Sequence, residues 1–242
     1  MQGKAPADRL VKVQDHIADI EHHMLHFIEN HDEQRVASPP FAGNAFKGKP
    51  AMVVSATIGT APTLVYFGQE VGEPGAENAG FGKPSRTSIF DYIGVPNHQR
   101  WMNGGAFDGG KLSDEEKSLR NFYKKLLNFT ITSPALMGKY AEIQSYNSSN
   151  SAHYSDKILS YARWCDKQKL LVVTCFDADK ENAFDLLLPP TLIQDWNLKD
   201  GNYLLYDQLN SGNKFELMVV NQTGKVKITL KPLESVILEL KN

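Results

Sequence analysis

The residue types best suited to chemistry lie in two short segments within the first 70 residues. Asn30, His31 and Asp32 place an amide, an imidazole and a carboxylate directly after an apolar stretch at 24–28, and Glu70 follows a second apolar stretch. Because neighbouring strands lie about 5 Å apart, we expect Asp32 and Glu70 to face each other across one mouth. Such a carboxylate pair suits glycoside hydrolysis. An alternative stays open, in which Asn30 and Asp32 only serve a polar turn that leaves a strand.

The period of the apolar pattern changes near Pro134 and divides the chain into two predicted domains, 1–134 and 135–242. In the first, helical patterns alternate with two short buried strands, 24–28 and 63–67, which is typical of a parallel α/β fold. In the second, nearly every segment alternates apolar and polar residues, which predicts an all-β antiparallel sandwich.

The predicted elements are as follows. Helices are expected at 8–20 and 50–58, and a further helix begins at a capping box over 113–116. The strands of the second domain are predicted at 142–146, 158–164, 170–176, 184–188, 203–207, 215–219, 226–230 and 236–240.

Charge and composition exclude several classes of partner. Lys and Arg total 26 against 28 Asp and Glu, so the net charge is −2 and no basic run favours nucleic acid or an anionic membrane. No stretch approaches the roughly 20 apolar residues of a membrane span. The first residues do not read as a secretory signal. Localisation stays open between export, if a leader lies upstream, and the cytoplasm.

The chain contains only two cysteines, Cys165 and Cys175. A hairpin that turns over 166–169 would pair Cys165 with Leu170 and Cys175 with Ser160. The two sulfurs would then lie too far apart to form a disulfide, so we expect two free thiols.

The two parallel strands of the first domain cannot form a stable sheet by themselves. Parallel sheets occur where neighbouring strands and helices cover them, and unpaired edges favour association. The first domain is therefore interpreted as the end of a larger unit, and we expect self-association through its uncovered face.

At this point the sequence resembles a known family. Phe27-Ile28-Glu29-Asn30-His31-Asp32 resembles the motif at the seventh barrel strand of the α-amylase superfamily, glycoside hydrolase family 13. Residues 60–70 are similar to the eighth strand of that family, and the segment 86–92, the capped helix and the antiparallel domain follow in the family's order. The resemblance covers nearly all 242 residues. It implies strands seven and eight of a (β/α)8 TIM barrel with helices, followed by domain C.

The resemblance also implies roles for the polar residues. Asp32 corresponds to the third carboxylate of the family, which binds hydroxyls of the sugar at the cleavage site, and His31 donates to the same sugar. Both contacts strengthen as the ring approaches an oxocarbenium ion. They stabilise the transition state without making or breaking bonds.

Four residues are candidate substrate-binding positions: Asn30, Arg35, Glu70 and Trp101. For Glu70 the resemblance implies a structural or cleft-lining role, and for Arg35 it favours pairing with a nearby carboxylate. Trp101 lies in a glycine-rich stretch, 96–110, that we predict to be an irregular loop, where the indole could form a cleft wall.

The part of the family that this sequence resembles does not contain the groups that cleave the glycosidic bond. The family's nucleophile, its arginine and its general acid/base lie on strands four and five, which have no counterpart here. Retaining hydrolysis needs two carboxyl groups about 5 to 5.5 Å apart. We therefore expect the parent protein to hydrolyse α-glucans such as starch and maltooligosaccharides, and this chain alone to be inactive.

No cofactor is expected, and no metal. His22, His23, His26 and His31 cluster in sequence, but they pass from a helix end into a strand and so would not share one face. Calcium is common in the family but is usually held by parts that this chain lacks.

Three hypotheses remain open. The chain is a portion of an α-amylase-like hydrolase, a non-catalytic glucan-binding module, or a structural subunit that completes a barrel with a separate chain. Linkage preference, chain-length preference, and the choice between hydrolysis and transglycosylation depend on loops that are not in the sequence.

Overall fold

The chain forms two compact units in the computed structural model, which describes residues 1–75, 85–88 and 95–241. The first unit comprises Met1–Gln2, Leu25–Ala56 and Pro62–Asn128, and the second comprises Gly3–Met24, Thr57–Ala61 and Phe129–Asn242. These units are defined by contacts, and the domain boundary at 134/135 stays a prediction.

The helices of the described residues are short, with one exception. They are α1 Arg9–His16, α2 Lys49–Thr57, α3 Pro96–Met102, α4 Asp114–Thr132, α5 Gln144–Asn150 and α6 Pro190–Asp195, with 3-10 turns at Glu21–His23, Ala45–Gly48, Gln69–Val71, Asn103–Gly105 and Pro134–Met137. In the part of the chain that is described, no helix has both the length and the apolar character needed to cross a bilayer.

The capping box predicted at the start of α4 is confirmed. The Glu116 backbone N–H donates to Ser113 Oγ at 3.2 Å, and the Ser113 backbone N–H donates to Glu116 Oε2 at 2.8 Å. Two of the donors that a helix start leaves unpaired are thereby satisfied. One face of α4 is buried through Leu119, Tyr123 and Leu126, whose spacing is that of one helix face.

The prediction of two full parallel strands in the first unit was wrong in extent. His26 and Thr63 form an isolated parallel bridge, in which the His26 N–H donates to Pro62 O at 2.9 Å and the Leu64 N–H donates to His26 O at 2.7 Å. The direction of pairing is the predicted one. The ladder does not extend because two parallel strands without further neighbours leave their other backbone groups unpaired.

The second unit is built on one antiparallel sheet of eight strands. The strands are β1 Lys139–Glu142, β2 Ile158–Cys165, β3 Gln168–Cys175, β4 Asn182–Leu188, β5 Gly201–Asp207, β6 Lys214–Val220, β7 Thr223–Leu230 and β8 Ser235–Leu240. Their order across the sheet is β1-β2-β3-β8-β5-β6-β7-β4. Apolar side chains from these strands and from α6 pack into one core, so the all-β antiparallel domain is the predicted one.

Two details of the second unit differ from the prediction. Residues 142–146, predicted as a strand, form the end of β1 and the start of α5. The β2–β3 hairpin pairs Cys165 with Gln168 and Cys175 with Ile158, so its turn has two residues instead of four. The register of this hairpin is therefore shifted by two positions from the predicted one. The prediction of two free thiols is confirmed.

A buried arginine joins distant segments of the second unit. Arg163 is 1% exposed; its Nη1 donates to Ile58 O at 2.6 Å, and its Nη2 donates to Leu136 O. Burial lowers the pKa of this guanidinium from its usual value. Next to it, Tyr161 Oη and Thr57 Oγ1 share a hydrogen bond of 2.7 Å. Main-chain carbonyls thus accept from both Nη atoms of a cation that is removed from water, whereas its Nε has no partner among the described residues.

Candidate functional site

The residues that follow His26 form a turn that presents polar side chains to solvent. Asn30 Oδ1 accepts hydrogen bonds from the backbone N–H groups of Asp32 and Glu33, each at 2.8 Å. This Asx turn holds the backbone in place without using the side chains of the two residues at its tip. Asn30 therefore performs the turn role that the sequence left open, and its carbonyl oxygen is occupied within the protein.

His31 and Asp32 form an exposed pair at the tip of that turn. His31 Nε2 lies 3.2 Å from Asp32 Oδ2, and the side chains are 50% and 70% exposed. Arg86 Nη2 approaches the other carboxylate oxygen, Oδ1, at 3.8 Å. An exposed carboxylate between two nitrogen groups can accept hydrogen bonds from hydroxyls, and the imidazole can donate one.

A buried ion pair joins the residues on either side of this turn. Arg35 Nη1 donates to Glu29 Oε2 at 2.9 Å, and the Val36 backbone N–H donates to Glu29 Oε1 at 2.7 Å. Both side chains are nearly inaccessible, at 0% for Arg35 and 3% for Glu29. Burial raises the pKa of Glu29, and the Arg35 charge opposes this rise. The two residues flank the turn in sequence, so their pairing closes it.

Arg35 also binds two other segments of the first unit. Its Nη2 donates to Phe67 O at 2.8 Å, and its Nε donates to Thr87 Oγ1 at 2.9 Å. The guanidinium lies 4.2 Å from the centroid of the Tyr66 ring. Arg35, a candidate substrate-binding residue, lies in the interior, where it is paired with a carboxylate as the resemblance favours. The partner, Glu29, was not identified from the sequence, although it lies within the same motif.

Two flanking glycines and the hydrogen bonds of Gln69 hold the turn that carries Glu70. Gly68 and Gly72 flank the 3-10 turn Gln69–Val71 with φ values of 84° and 74°, a region that favours glycine. Gln69 is 2% exposed; its Oε1 accepts from the Tyr66 N–H at 3.1 Å, and its Nε2 donates to Tyr123 Oη at 3.0 Å. Glu70 is half-buried between these anchors.

A second buried carboxylate, Glu73, follows this turn and was also not identified from the sequence. Glu73 is 1% exposed, and its two oxygens accept from the backbone N–H groups of Gly75 and Asn97, each at 3.0 Å. Its charge contributes to the raised pKa of Glu29. Glu73 therefore holds backbone in place, because both oxygens already have protein donors.

Trp101 does not lie in an irregular loop as predicted, because it is on α3. Its ring is stacked on His98 with centroids 5.5 Å apart, and Phe107 meets it edge-on at 5.8 Å. The Arg120 guanidinium lies 5.0 Å from the Trp101 centroid. A proline at the start of α3 favours helix there. The indole is half-buried among its own neighbours.

The segment 86–92, which resembles a segment of the α-amylase superfamily, is only partly described by the structure. Within the segment 86–92, residues 89–92 lie outside the described residues, whereas Arg86 and Thr87 take part in the contacts above. In the ranges 1–75, 85–88 and 95–241, no group of three or more His, Cys, Asp or Glu side chains could hold a metal ion.

Comparison with solved structures defines the class of fold. The chain has the fold of a stretch of the α-amylases. It is similar to a variant of AmyP crystallised with maltotriose, at 18% identity and a TM-score of 0.65, over 99% of this chain and 46% of that one. A maltogenic α-amylase, AmyB from Thermotoga neapolitana, gives 17% identity and a TM-score of 0.65 over 99% of this chain and 47% of that one.

The α-amylase from H. orenii is similar too, at 16% identity and a TM-score of 0.59, over 97% of this chain and 44% of that one. The chain thus spans slightly under half the length of these three proteins. At such identities the likeness establishes the fold, and function must be argued from the site. No family model matches the sequence, and no curated protein matches it.

Proposed function

We propose that this chain is the carboxyl-terminal portion of an α-amylase-like retaining glycoside hydrolase that acts on α-glucans. In this proposal residues 1–134 are the end of a TIM barrel, and residues 135–242 are domain C. The chain contributes the sugar-binding pair His31 and Asp32. The observation that carries the proposal is this exposed pair, held on the buried Glu29–Arg35 ion pair, within a fold shared with α-amylases.

The geometry of the pair suits contacts to sugar hydroxyls. Asp32 presents two carboxylate oxygens and is 70% exposed, and His31 presents an imidazole edge beside it. As the sugar ring flattens and positive charge builds near the anomeric carbon, a nearby carboxylate is bound more favourably than in the ground state. Asp32 therefore stabilises the transition state, while His31 orients the same sugar through a donated hydrogen bond.

The chain alone is proposed to be inactive. The resemblance assigns the nucleophile and the general acid/base to strands that have no counterpart in the sequence, and retaining hydrolysis requires both. The AmyP structure was determined with maltotriose, and this chain matches 46% of it. Glucan hydrolysis by the parent protein is accordingly part of the proposal.

Two experiments test the proposal. In the first, the purified chain is incubated with maltooligosaccharides and reducing ends are measured; we expect no turnover above a buffer control. Turnover would refute the assignment of the catalytic acids to other strands. In the second, the DNA upstream of the reading frame is sequenced, and we expect a segment that encodes barrel strands one to six.

The longer polypeptide, where the DNA encodes it, tests the role of Asp32. We expect Asp32→Asn to lower kcat by about a hundredfold, because the loss of one preorganised charge costs that order of rate. Glu33→Gln is the matched control, since Glu33 is a neighbouring exposed carboxylate whose side chain does not form the pair; it should change kcat by less than about threefold. Equal effects of the two substitutions would contradict the proposed role.

A second candidate is a structural subunit that completes a barrel with a separate chain. It is favoured by two apolar side chains beside the parallel bridge that remain accessible, Leu25 at 49% and Phe27 at 42%. Exposed apolar surface of this kind marks an interaction site. Co-purification of a second chain that restores turnover would support this candidate, and binding of starch with neither a partner nor an upstream segment would support a glucan-binding module.

A further inference from the structure

The turn that follows α3 contains the pair Asn103-Gly104, which takes no part in the proposed function. It is the only place in the sequence where glycine directly follows asparagine. Glycine has no Cβ, so its backbone nitrogen can approach the side-chain carbonyl carbon of a preceding asparagine with little steric hindrance. Attack by that nitrogen is the first step of asparagine deamidation. The pair is therefore the position in this chain best suited to that modification.

The pair forms a tight turn with open space around it. Asn103 has φ 48° and ψ 49°, and Gly104 has φ 66° and ψ 22°. Two consecutive residues with positive φ are typical of the turn that Asn-Gly favours. Among the described residues, no heavy atom beyond their own turn lies within 4 Å of the position that a Cβ would take at Gly104 or Gly105. The packing therefore leaves room for the turn to open and for the Gly104 nitrogen to approach Asn103 Cγ.

A loop at residues 103–110 is closed through the side-chain amide of Asn103. Asn103 Nδ2 donates to Asp108 Oδ1 at 2.9 Å, and the Gly110 N–H donates to the same oxygen at 2.8 Å. The Asn103 amide, followed by the Gly110 N–H, lowers the pKa of Asp108 from its ordinary value. Asp108 is therefore ionised at neutral pH, and one of its oxygens joins the two ends of the loop.

The same loop lies against the last turn of α3. The Phe107 N–H donates to Met102 O at 2.9 Å, and the Gly109 N–H donates to Trp101 O at 3.0 Å. Phe107 has a φ of 54° and meets the Trp101 ring edge-on. A non-glycine residue with a positive φ is held at a conformational cost, which the surrounding contacts must offset. The contact between Asn103 and Asp108 is one of them.

We propose that Asn103 is a site of spontaneous deamidation and that its product loosens the loop 103–110. The Gly104 backbone nitrogen loses its proton and forms a bond to Asn103 Cγ, the Cγ–Nδ2 bond breaks, and Nδ2 leaves as ammonia. Water then opens the resulting cyclic imide at either carbonyl, which gives aspartate or isoaspartate at this position. Water is the only co-reactant, and the proposal does not rest on the hydrolase function.

Each product replaces a hydrogen-bond donor by a second negative charge. The group that donated to Asp108 Oδ1 becomes a carboxylate, which has no proton to donate at neutral pH. Two carboxylates this close repel each other, and isoaspartate also lengthens the main chain by a methylene group. The loop should then open more often, because its backbone hydrogen bonds to α3 lose the support of the contact between Asn103 and Asp108.

Two other asparagines, Asn147 and Asn210, serve as internal controls. Asn147 is buried, and its Nδ2 donates to two main-chain carbonyls, each at 2.8 Å. Asn210 Nδ2 donates to a carboxylate oxygen at 2.9 Å and to a main-chain carbonyl at 2.8 Å. Both are followed by serine, whose Cβ hinders the attacking nitrogen. They should therefore deamidate more slowly than Asn103.

Ageing of the intact chain in mildly alkaline buffer, followed by tryptic peptide mapping, tests the modification. Cleavage after Arg100 and Lys111 releases residues 101–111, in which Asn103 is the only residue with a side-chain amide. We expect the mass change of deamidation to appear in this peptide first, and isoaspartyl methyltransferase to label it. Asn147 and Asn210 should still be unmodified when Asn103 is half converted. The proposal is overturned when Asn103 stays intact, when either control is converted before it, or when no isoaspartate forms.

Hydrogen exchange of freshly purified variants tests the effect on the loop. Asn103→Asp reproduces one product and should raise exchange in residues 101–111 by about threefold, the scale of a surface electrostatic contact. Asn103→Ser removes the amide without adding a charge, so this matched control should raise exchange less. Adding Asp108→Ser to Asn103→Asp removes the like charge and should return exchange towards the wild-type rate. Equal exchange in the two Asn103 variants, or no reversal by Asp108→Ser, would contradict the proposed loosening.

Discussion

Replacing Arg35 by Met tests whether the buried ion pair holds the candidate site in place. The substitution removes the partner of Glu29 Oε2 and the donors to Phe67 O and Thr87 Oγ1. Met has a similar length, so the main loss is charge and hydrogen bonding. Breaking a buried pair from one side leaves an uncompensated charge and costs about 3–5 kcal/mol. We expect a loss of this size in the free energy of unfolding at pH 7.

The pH dependence of that loss follows from Glu29. Burial already raises its pKa, and removing Arg35 takes away the main groups that oppose the rise. An acid whose folded-state pKa exceeds its unfolded value stabilises the fold below the unfolded pKa, and this stabilisation is lost as pH rises through the folded pKa. The cost of Arg35→Met should therefore shrink on acidification, by about 1.4 kcal/mol for each unit of further rise in the Glu29 pKa.

Urea unfolding at pH 7 and pH 4.5 measures both effects, and hydrogen exchange at Val36, whose N–H donates to Glu29, reports on the turn locally. Arg86→Met is the matched control. Arg86 is 44% exposed and lies 3.8 Å from Asp32, so its loss should cost less than about 1 kcal/mol. The reasoning is refuted when Arg35→Met costs no more than Arg86→Met, or costs the same at the two pH values.

Three further predictions address other parts of the chain. Ser113→Ala removes the cap of α4 and should lower the free energy of unfolding by about 1 kcal/mol, whereas Ser118→Ala, inside the same helix, should not; chemical denaturation of both variants decides. Gly138→Ala places a methyl group against the Trp164 carbonyl oxygen and should lower the stability by about 1–3 kcal/mol, visible as a reduced Tm. Phe27→Lys should shift the chain towards monomer in sedimentation velocity, since an exposed apolar side chain favours self-association; a wild-type chain that is already monomeric at tens of micromolar would contradict this prediction.

Elements that depend on local signals could be predicted from the sequence. The α4 capping box is four residues long, and its two reciprocal hydrogen bonds need nothing beyond those residues. Seven of the eight strands match their predicted ranges within a few residues. Burial alternates along β4, β6 and β7, whereas β2, β3 and β8 are buried at almost every position. The register of the β2–β3 hairpin could not be predicted from the apolar pattern, because a shift of two residues keeps the same side chains on the same face of the sheet.

Features that depend on distant contacts could not be predicted in the same way. Glu29 and Arg35 are only six positions apart in sequence. The guanidinium of Arg35, however, is held in place by hydrogen bonds to Phe67 and Thr87, which lie far along the chain. The stretch 63–67 has the composition of a buried strand, yet it forms a single bridge residue, because strand formation requires partners that composition does not supply. The contacts of Trp101 with Phe107 and with Arg120 likewise join residues that are not adjacent in sequence.

The contacts of Arg163 limit how this chain can be dissected. The guanidinium donates to the Ile58 carbonyl, and the neighbouring Tyr161 shares a hydrogen bond with Thr57. A polypeptide trimmed to residues 135–242 would keep Leu136 but lose both of these partners, Ile58 and Thr57. Excision at the predicted boundary would therefore leave the buried Arg163 Nη1 without its carbonyl acceptor, so residues 135–242 by themselves would be less stable than within the longer chain.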